Sequence, residues 1–302
     1  MSVIEIDHLT KDFGNNKGVF DLSFSLNQGE IIGFLGSNGA GKTTTIRHLM
    51  GFIRPDHGSV KILDMDCFEK AHSIQKQIGY LPGEIAFMDN MTGDEFIRFM
   101  ANMKDINDLQ YAKKLIAYFD IDTKIKIKKM SKGMKQKIGL IIAFMQDSPI
   151  LILDEPTTGL DPLMQNKFVE LIKKEKSKGK TILMSSHIFE EIENTCERIV
   201  MIKNGHLITD ENITAIRKKM SKHYEITFSN IKDAIYFQES YADNSTRKNN
   251  VVHLLTKEDI NHLISELNKY KIQDINARYQ TLEEVFMKYY GGEENEYSTL
   301  KN

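Results

Sequence analysis

The residues from Gly36 to Thr44, Gly36-Ser37-Asn38-Gly39-Ala40-Gly41-Lys42-Thr43-Thr44, could do the most definite chemistry in this chain. Three glycines without Cβ atoms let a backbone wrap closely and turn its N–H groups onto phosphate oxygens. Lys42 would reach the β- and γ-phosphates, and the Thr43 hydroxyl would hold Mg²⁺. A second group is Asp154-Glu155, directly after the apolar run Ile150 to Leu153. Asp154 suits Mg²⁺ or its water shell, and Glu155 suits a general base on an attacking water. His187, after Ser185-Ser186, is either a satisfied loop residue or a hydrogen-bond donor beside a terminal phosphate.

Two further candidates carry two readings each. Ser131 and Gly133, within Met130-Ser131-Lys132-Gly133-Met134, open a helical run and offer either a plain N-cap or a close-approach anion site. Phe13, within Lys11-Asp12-Phe13-Gly14, is either a core residue or a ring that stacks on adenine.

These groups need elements to hold them. Ile31 to Leu35 reads as a buried strand feeding the glycine turn, with a helix opening behind it. Ile150 to Leu153 and Thr181 to Met184 read as two more buried strands, so the carboxylates and His187 fall at strand C-termini, where open α/β sheets bind ligands. Ahead of them, Val3 to Leu9 and the alternation Phe20, Leu22, Phe24, Leu26 predict half-buried strands. Thr92-Gly93-Asp94-Glu95 predicts a capping box inside a helical stretch from about Met88 to Met145. Asp161 with Pro162 predicts another helix start, and Gly179 its end. From about Ser221 the pattern shifts to short strands alternating with helices at Lys232 to Glu239, Lys257 to Tyr270 and Thr281 to Tyr290.

The 302 residues suit about two domains. A net charge of −2 gives no electrostatic case for nucleic acid. Seven lysines between Lys124 and Lys137 read as a solvated face. Cys67 and Cys196 form no metal or disulfide framework. The longest apolar run, Ile138 to Met145, is far short of the roughly 20 residues that span a bilayer.

With these motifs in order, residues 1–215 resemble the ATPase subunit of an ATP-binding cassette (ABC) transporter. Gly36 to Thr44 matches the Walker A motif, and Ile150 to Glu155 the Walker B strand with its catalytic glutamate. Met130 to Met134 resembles the LSGGQ signature, keeping Ser131 and Gly133 but not the second glycine or the glutamine. Gly159-Leu160-Asp161 matches the D-loop, His187 the switch histidine and Phe13 the adenine-stacking aromatic. After Tyr80-Leu81-Pro82 the family's Q-loop glutamine is replaced by Gly83 and then Glu84. Pro82-Gly83-Glu84 and the run Leu282 to Phe286 look like the exporter branch, which serves drugs, bacitracin and antimicrobial peptides.

The resemblance implies an α/β fold: a P-loop NTPase core with an N-terminal antiparallel β subdomain and a helical insert at about 84–145. A small α+β domain follows at 221–290, with a flexible tail at 291–302. It implies ATP and Mg²⁺ as ligands, with Lys42, Glu155 and His187 catalytic and Thr43 and Asp154 at the metal; the departure at Gly83 adds the expectation that Glu84 helps hold Mg²⁺, directly or through water. It implies a second ATPase subunit, identical or not, whose Ser131, Gly133 and Asp161 face the nucleotide. A separate membrane permease would hold the chain at the cytoplasmic face of the membrane.

Overall fold

The computed structural model describes residues 2–290; the tail expected at 291–302 lies outside the described residues. The chain divides into two compact units, Met1–Ile213 and Thr214–Asn302.

The first unit begins with β1 (Ser2–Asp12), β2 (Gly18–Asn27), β3 (Ile31–Leu35), α1 (Lys42–Leu49), β4 (His57–Ile62) and β5 (Met65–Asp66). Next come α2 (Ala71–Gln75), β6 (Ile78–Leu81), α3 (Gly93–Met103), α4 (Gln110–Phe119) and α5 (Lys132–Phe144). It continues through β7 (Ile150–Asp154), α6 (Pro162–Ser177), β8 (Thr181–Ser186), α7 (Phe189–Thr195), β9 (Arg198–Lys203) and β10 (His206–Asn212).

Two sheets form. The antiparallel one has the order β2-β1-β4-β5, and the second has the order β10-β9-β3-β8-β7-β6. In the second, β9, β3, β8, β7 and β6 run parallel and β10 is antiparallel to β9. Strands β3, β7 and β8 are buried along their whole length, as unbroken apolar runs in a parallel sheet demand.

Their register positions the chemistry. Leu35 pairs with Ser186, and Asp154 pairs with Ser185. The glycine turn, the two carboxylates and His187 therefore leave the sheet at one edge.

In β2 the expected alternation changes phase. Leu22, Phe24 and Leu26 are buried, but so is Val19, while Phe20 is only partly covered. The pairing slips between Leu9↔Leu22 and Lys11↔Val19, and Asp21 takes a positive φ of 54°. This bulge moves Phe20 off the core face, a change that side-chain polarity alone does not announce.

The insert between β6 and β7 supplies α3, α4 and α5. Both halves of the capping box form: Glu95 N–H donates to Thr92 Oγ1 (3.3 Å), and Thr92 N–H donates to Glu95 Oε2 (2.7 Å). Helix α5 buries Ile138 and residues 140–144, so the longest apolar run of the chain is core. Among the described residues no helix is long and apolar enough to cross a membrane.

A helix α8 (Ile213–Lys219) follows. The second unit then has β11 (Lys222–Phe228), α9 (Ile231–Ser240), β12 (Ser245–Lys248), β13 (Val251–Thr256), α10 (Ile260–Leu267), β14 (Ile272–Tyr279) and α11 (Leu282–Tyr290). Its antiparallel sheet has the order β12-β13-β11-β14. Tyr224, Ile226, Phe228, Val252 and Leu254 from the sheet pack with Phe237 of α9 and Leu263 and Leu267 of α10.

Candidate functional site

The glycine turn is shaped to leave its interior open. Gly41, which precedes α1, has φ 110°, and a Cβ there would meet Val19 Cγ1 at 2.7 Å. Only glycine fits this backbone. Helix α1 carries no side-chain cap at its start, so its first N–H groups remain available to an anion.

Lys42 is buried at the first position of that helix. Its Nζ donates to Gly36 O (2.6 Å) and Ser37 O (3.3 Å) and lies 3.3 Å from Glu155 Oε1. Beside it, Thr43 Oγ1 donates to Asp154 Oδ2 at 2.9 Å. Asp154 is fully buried, and its other oxygen accepts from Ser185 Oγ.

Glu155 sits just past the end of β7, with φ 51°. That left-handed conformation is costly for a residue with a side chain. It is held by two bonds from the Glu155 N–H, to Ser185 O (3.2 Å) and Ser185 Oγ (3.0 Å). The turn lets the carboxylate span two partners: Oε1 faces Lys42, and Oε2 lies 2.5 Å from His187 Nδ1. His187 thus lies in contact with Glu155 at the end of β8.

A cavity of about 990 Å³ extends from this cluster. It is lined by residues of the glycine turn, by Thr43, Thr44 and Glu155, and also by Phe13, Phe20, Asn204 and His206. Phe13 is 55 % exposed, so it is no core residue. Phe20 and His206 stack on each other with ring centroids 5.2 Å apart. Sequence reasoning did not find Phe20, Asn204 or His206, because the β2 bulge and the β9–β10 hairpin bring them in from distant positions.

Ser131 and Gly133 lie elsewhere, at the start of α5, and do not line the cavity. Ser131 Oγ accepts from Met134 N–H (3.2 Å) as an N-cap. A Cβ on Gly133 would meet Gly159 O at 2.6 Å, so the start of α5 lies against the Gly159-Leu160-Asp161 turn. Asp161 caps α6 by accepting from Met164 N–H (3.0 Å). Gln136, also missed from sequence, reaches from α5 to donate to Glu155 O (3.2 Å) and Pro156 O (2.8 Å).

Glu84 is exposed on the loop after β6 and is not among the residues lining the cavity. In that loop Gly83 lies against Asp154: a Cβ there would be 3.1 Å from Asp154 Oδ2. The structure brings together Lys42, Thr43, Asp154, Glu155 and His187, and among the described residues no hydrogen bond or ion pair joins Glu84 to them.

The donor set suits a hard cation. Thr43 and Asp154 offer oxygen, and no group of three or more His, Cys, Asp or Glu side chains stands ready for a metal among the described residues. An ion here would draw its remaining oxygens from phosphate and water, which is the habit of Mg²⁺.

Comparison with known proteins decides the lineage. The ABC transporter family model matches residues 19–158. The bacitracin transport ATP-binding protein BcrA of Bacillus licheniformis is 32% identical over 301 residues, covering 96% of this chain and 98% of its own. The chain belongs to the ABC transporter family. It is one of that family's ATPase subunits. The linearmycin resistance ATP-binding protein LnrL of Bacillus subtilis is 31% identical over 239 residues, covering 77% of each chain. A solved ATP-binding subunit of an ABC transporter superposes with TM-score 0.66 at 29% identity, covering 72% of this chain and 92% of that one. A dimeric cassette in a post-hydrolysis state with ADP and Pi shares the fold, with TM-score 0.63 at 20% identity over 70% of this chain and 98% of that one.

Proposed function

We propose that this ABC ATPase subunit powers a membrane exporter of a drug or antimicrobial peptide. Likeness to BcrA and LnrL over most of their lengths supports that cargo class. The observation that carries the catalytic reading is the convergence of Lys42, Glu155 and His187, with Thr43 and Asp154 alongside.

ATP would lie along the cavity, its phosphates in the turn from Gly36 to Thr44 and its base against Phe13. Lys42 would exchange its carbonyl and Glu155 partners for the β- and γ-phosphate oxygens. Thr43 and Asp154 would hold Mg²⁺, which supplies charge neutralisation on the phosphates when bound. Glu155, released from Lys42, would take the proton of the attacking water, while His187 orients the carboxylate and faces the γ-phosphate.

Ser131 and Gly133 lie outside the lining of the chain's own cavity, which fits a role toward the nucleotide of a second subunit. There Ser131 and the first N–H groups of α5 would cover the γ-phosphate from across the dimer. Loss of that phosphate on hydrolysis would let the subunits part. The insert between Gly83 and Lys129, with Met88 and Met103 exposed, is the proposed permease contact at the cytoplasmic face of the membrane.

The test is ATP-dependent efflux in vesicles holding this chain and its copurifying permease. Drug or peptide efflux that requires hydrolysis supports the proposal. Hydrolysis coupled instead to uptake would overturn the exporter assignment.

A further inference from the structure

Glu191 of α7 is a carboxyl that the scheme above does not use. Its side chain is 8 % exposed, and Oε1 has no hydrogen-bond partner among the described residues. Oε2 accepts from Ser186 Oγ at 2.7 Å. The same Ser186 oxygen accepts from Ile188 N–H at 2.9 Å. One hydroxyl therefore ties Glu191 to the residues on both sides of His187. On its other side Glu191 neighbours Thr157, two residues past Glu155. It stands behind both strand ends that carry the reacting groups.

We propose that Glu191 is a positioning residue for ATP hydrolysis, which clamps the Ser186-His187-Ile188 turn so that His187 meets Glu155, and that its carboxyl does so in the protonated form. The inference rests on the roles given to Glu155 and His187 above. Burial with no cation in contact favours the neutral acid. An ionised carboxyl would attract His187 toward itself and away from Glu155. The charged groups facing it are Glu155 from the end of β7 and His187 from the end of β8; Cys196 follows on its own helix. Burial is the largest influence and raises its pKa from 4.5 to about 7, with Glu155 acting in the same sense and the Ser186 and Thr157 hydroxyls opposing. Because the folded value is the higher one, protonation favours the folded arrangement at low pH, and that preference is lost as pH rises through about 7.

The experiment compares Glu191→Gln, Glu191→Ala and the wild type in ATP turnover against pH, with nucleotide affinity and thermal unfolding measured alongside. The amide copies the neutral acid, so Glu191→Gln should keep kcat within about threefold at pH 6.5 and lose the alkaline fall of the wild type. Glu191→Ala should lower kcat about 10²-fold with ATP affinity nearly unchanged, as expected of misplaced catalytic groups. A Gln variant that folds and binds ATP but is as slow as the Ala variant would overturn the proposal, as would one that keeps the wild-type alkaline limb. Absence of ATP hydrolysis in the wild type would instead strike the catalytic roles on which the inference rests.

Discussion

Lys42 Nζ and Glu155 Oε1 lie 3.3 Å apart, joining the helix that follows the glycine turn to the end of β7. Both side chains are largely covered, so the pair is formed in surroundings where charges are costly to leave alone. A triphosphate that takes Lys42 for itself frees Glu155 at the same moment. On the proposed roles, substrate entry and release of the base would be one event.

Replacing Glu155 by Gln removes the proton acceptor while keeping the contacts' shape. ATP turnover is expected to fall about 10²–10⁴-fold, as for loss of a general base. Binding should persist, and an ATP-loaded dimer should accumulate on light scattering. Phosphate release at the wild-type rate would remove Glu155 from this role.

Lys42→Ala takes away a charge-assisted donor to phosphate, worth about 1.5–3 kcal/mol. Calorimetry should therefore show ATP binding weakened about 10–100-fold. An unchanged dissociation constant would show that Lys42 keeps to the carbonyls of Gly36 and Ser37.

Gly83 and Glu84 separate in a magnesium titration. A methyl at Gly83 would press on Asp154 Oδ2 from 3.1 Å, so Gly83→Ala should raise the Mg²⁺ concentration for half-maximal hydrolysis. Glu84→Ala, at an exposed position off the cavity, should leave it within about twofold. A strong shift in the Glu84 variant alone would place that carboxylate at the ion.

Gly133→Ala forces a methyl against Gly159 O, 2.6 Å away in the present geometry. Overpacking of this kind costs about 1–3 kcal/mol. Urea unfolding should show the loss as a lower midpoint with an unchanged slope. An unaltered midpoint would mean that the start of α5 and the Gly159 turn yield freely.

Much of this was legible in the chain itself. The glycine turn, the apolar strands β3, β7 and β8 and the capping box at Thr92 announce themselves because local residue types dictate them. Ser131 and Asp161 were readable as caps, and both accept the expected backbone N–H. What stayed hidden depends on tertiary pairing. Phe20 reads as core until the bulge at Asp21 turns it toward His206. The polar strand β12 shows no apolar alternation and exists by pairing with β13. Gln136 is an unremarkable helix residue until the fold places two carbonyls in front of it. Glu191 resembles its neighbour Glu190, and only burial tells them apart.

The amide of Gln136 grips the main chain of Glu155 and Pro156 from within α5, the helix whose first residues point outward. A push on the tip of α5 from outside would thereby reach the backbone of Glu155. A tilt of that helix is passed on as a tug at the backbone, with no nucleotide needed to carry the message. Two such subunits, each holding the other's helix tip, would be wired so that neither fires without its neighbour noticing.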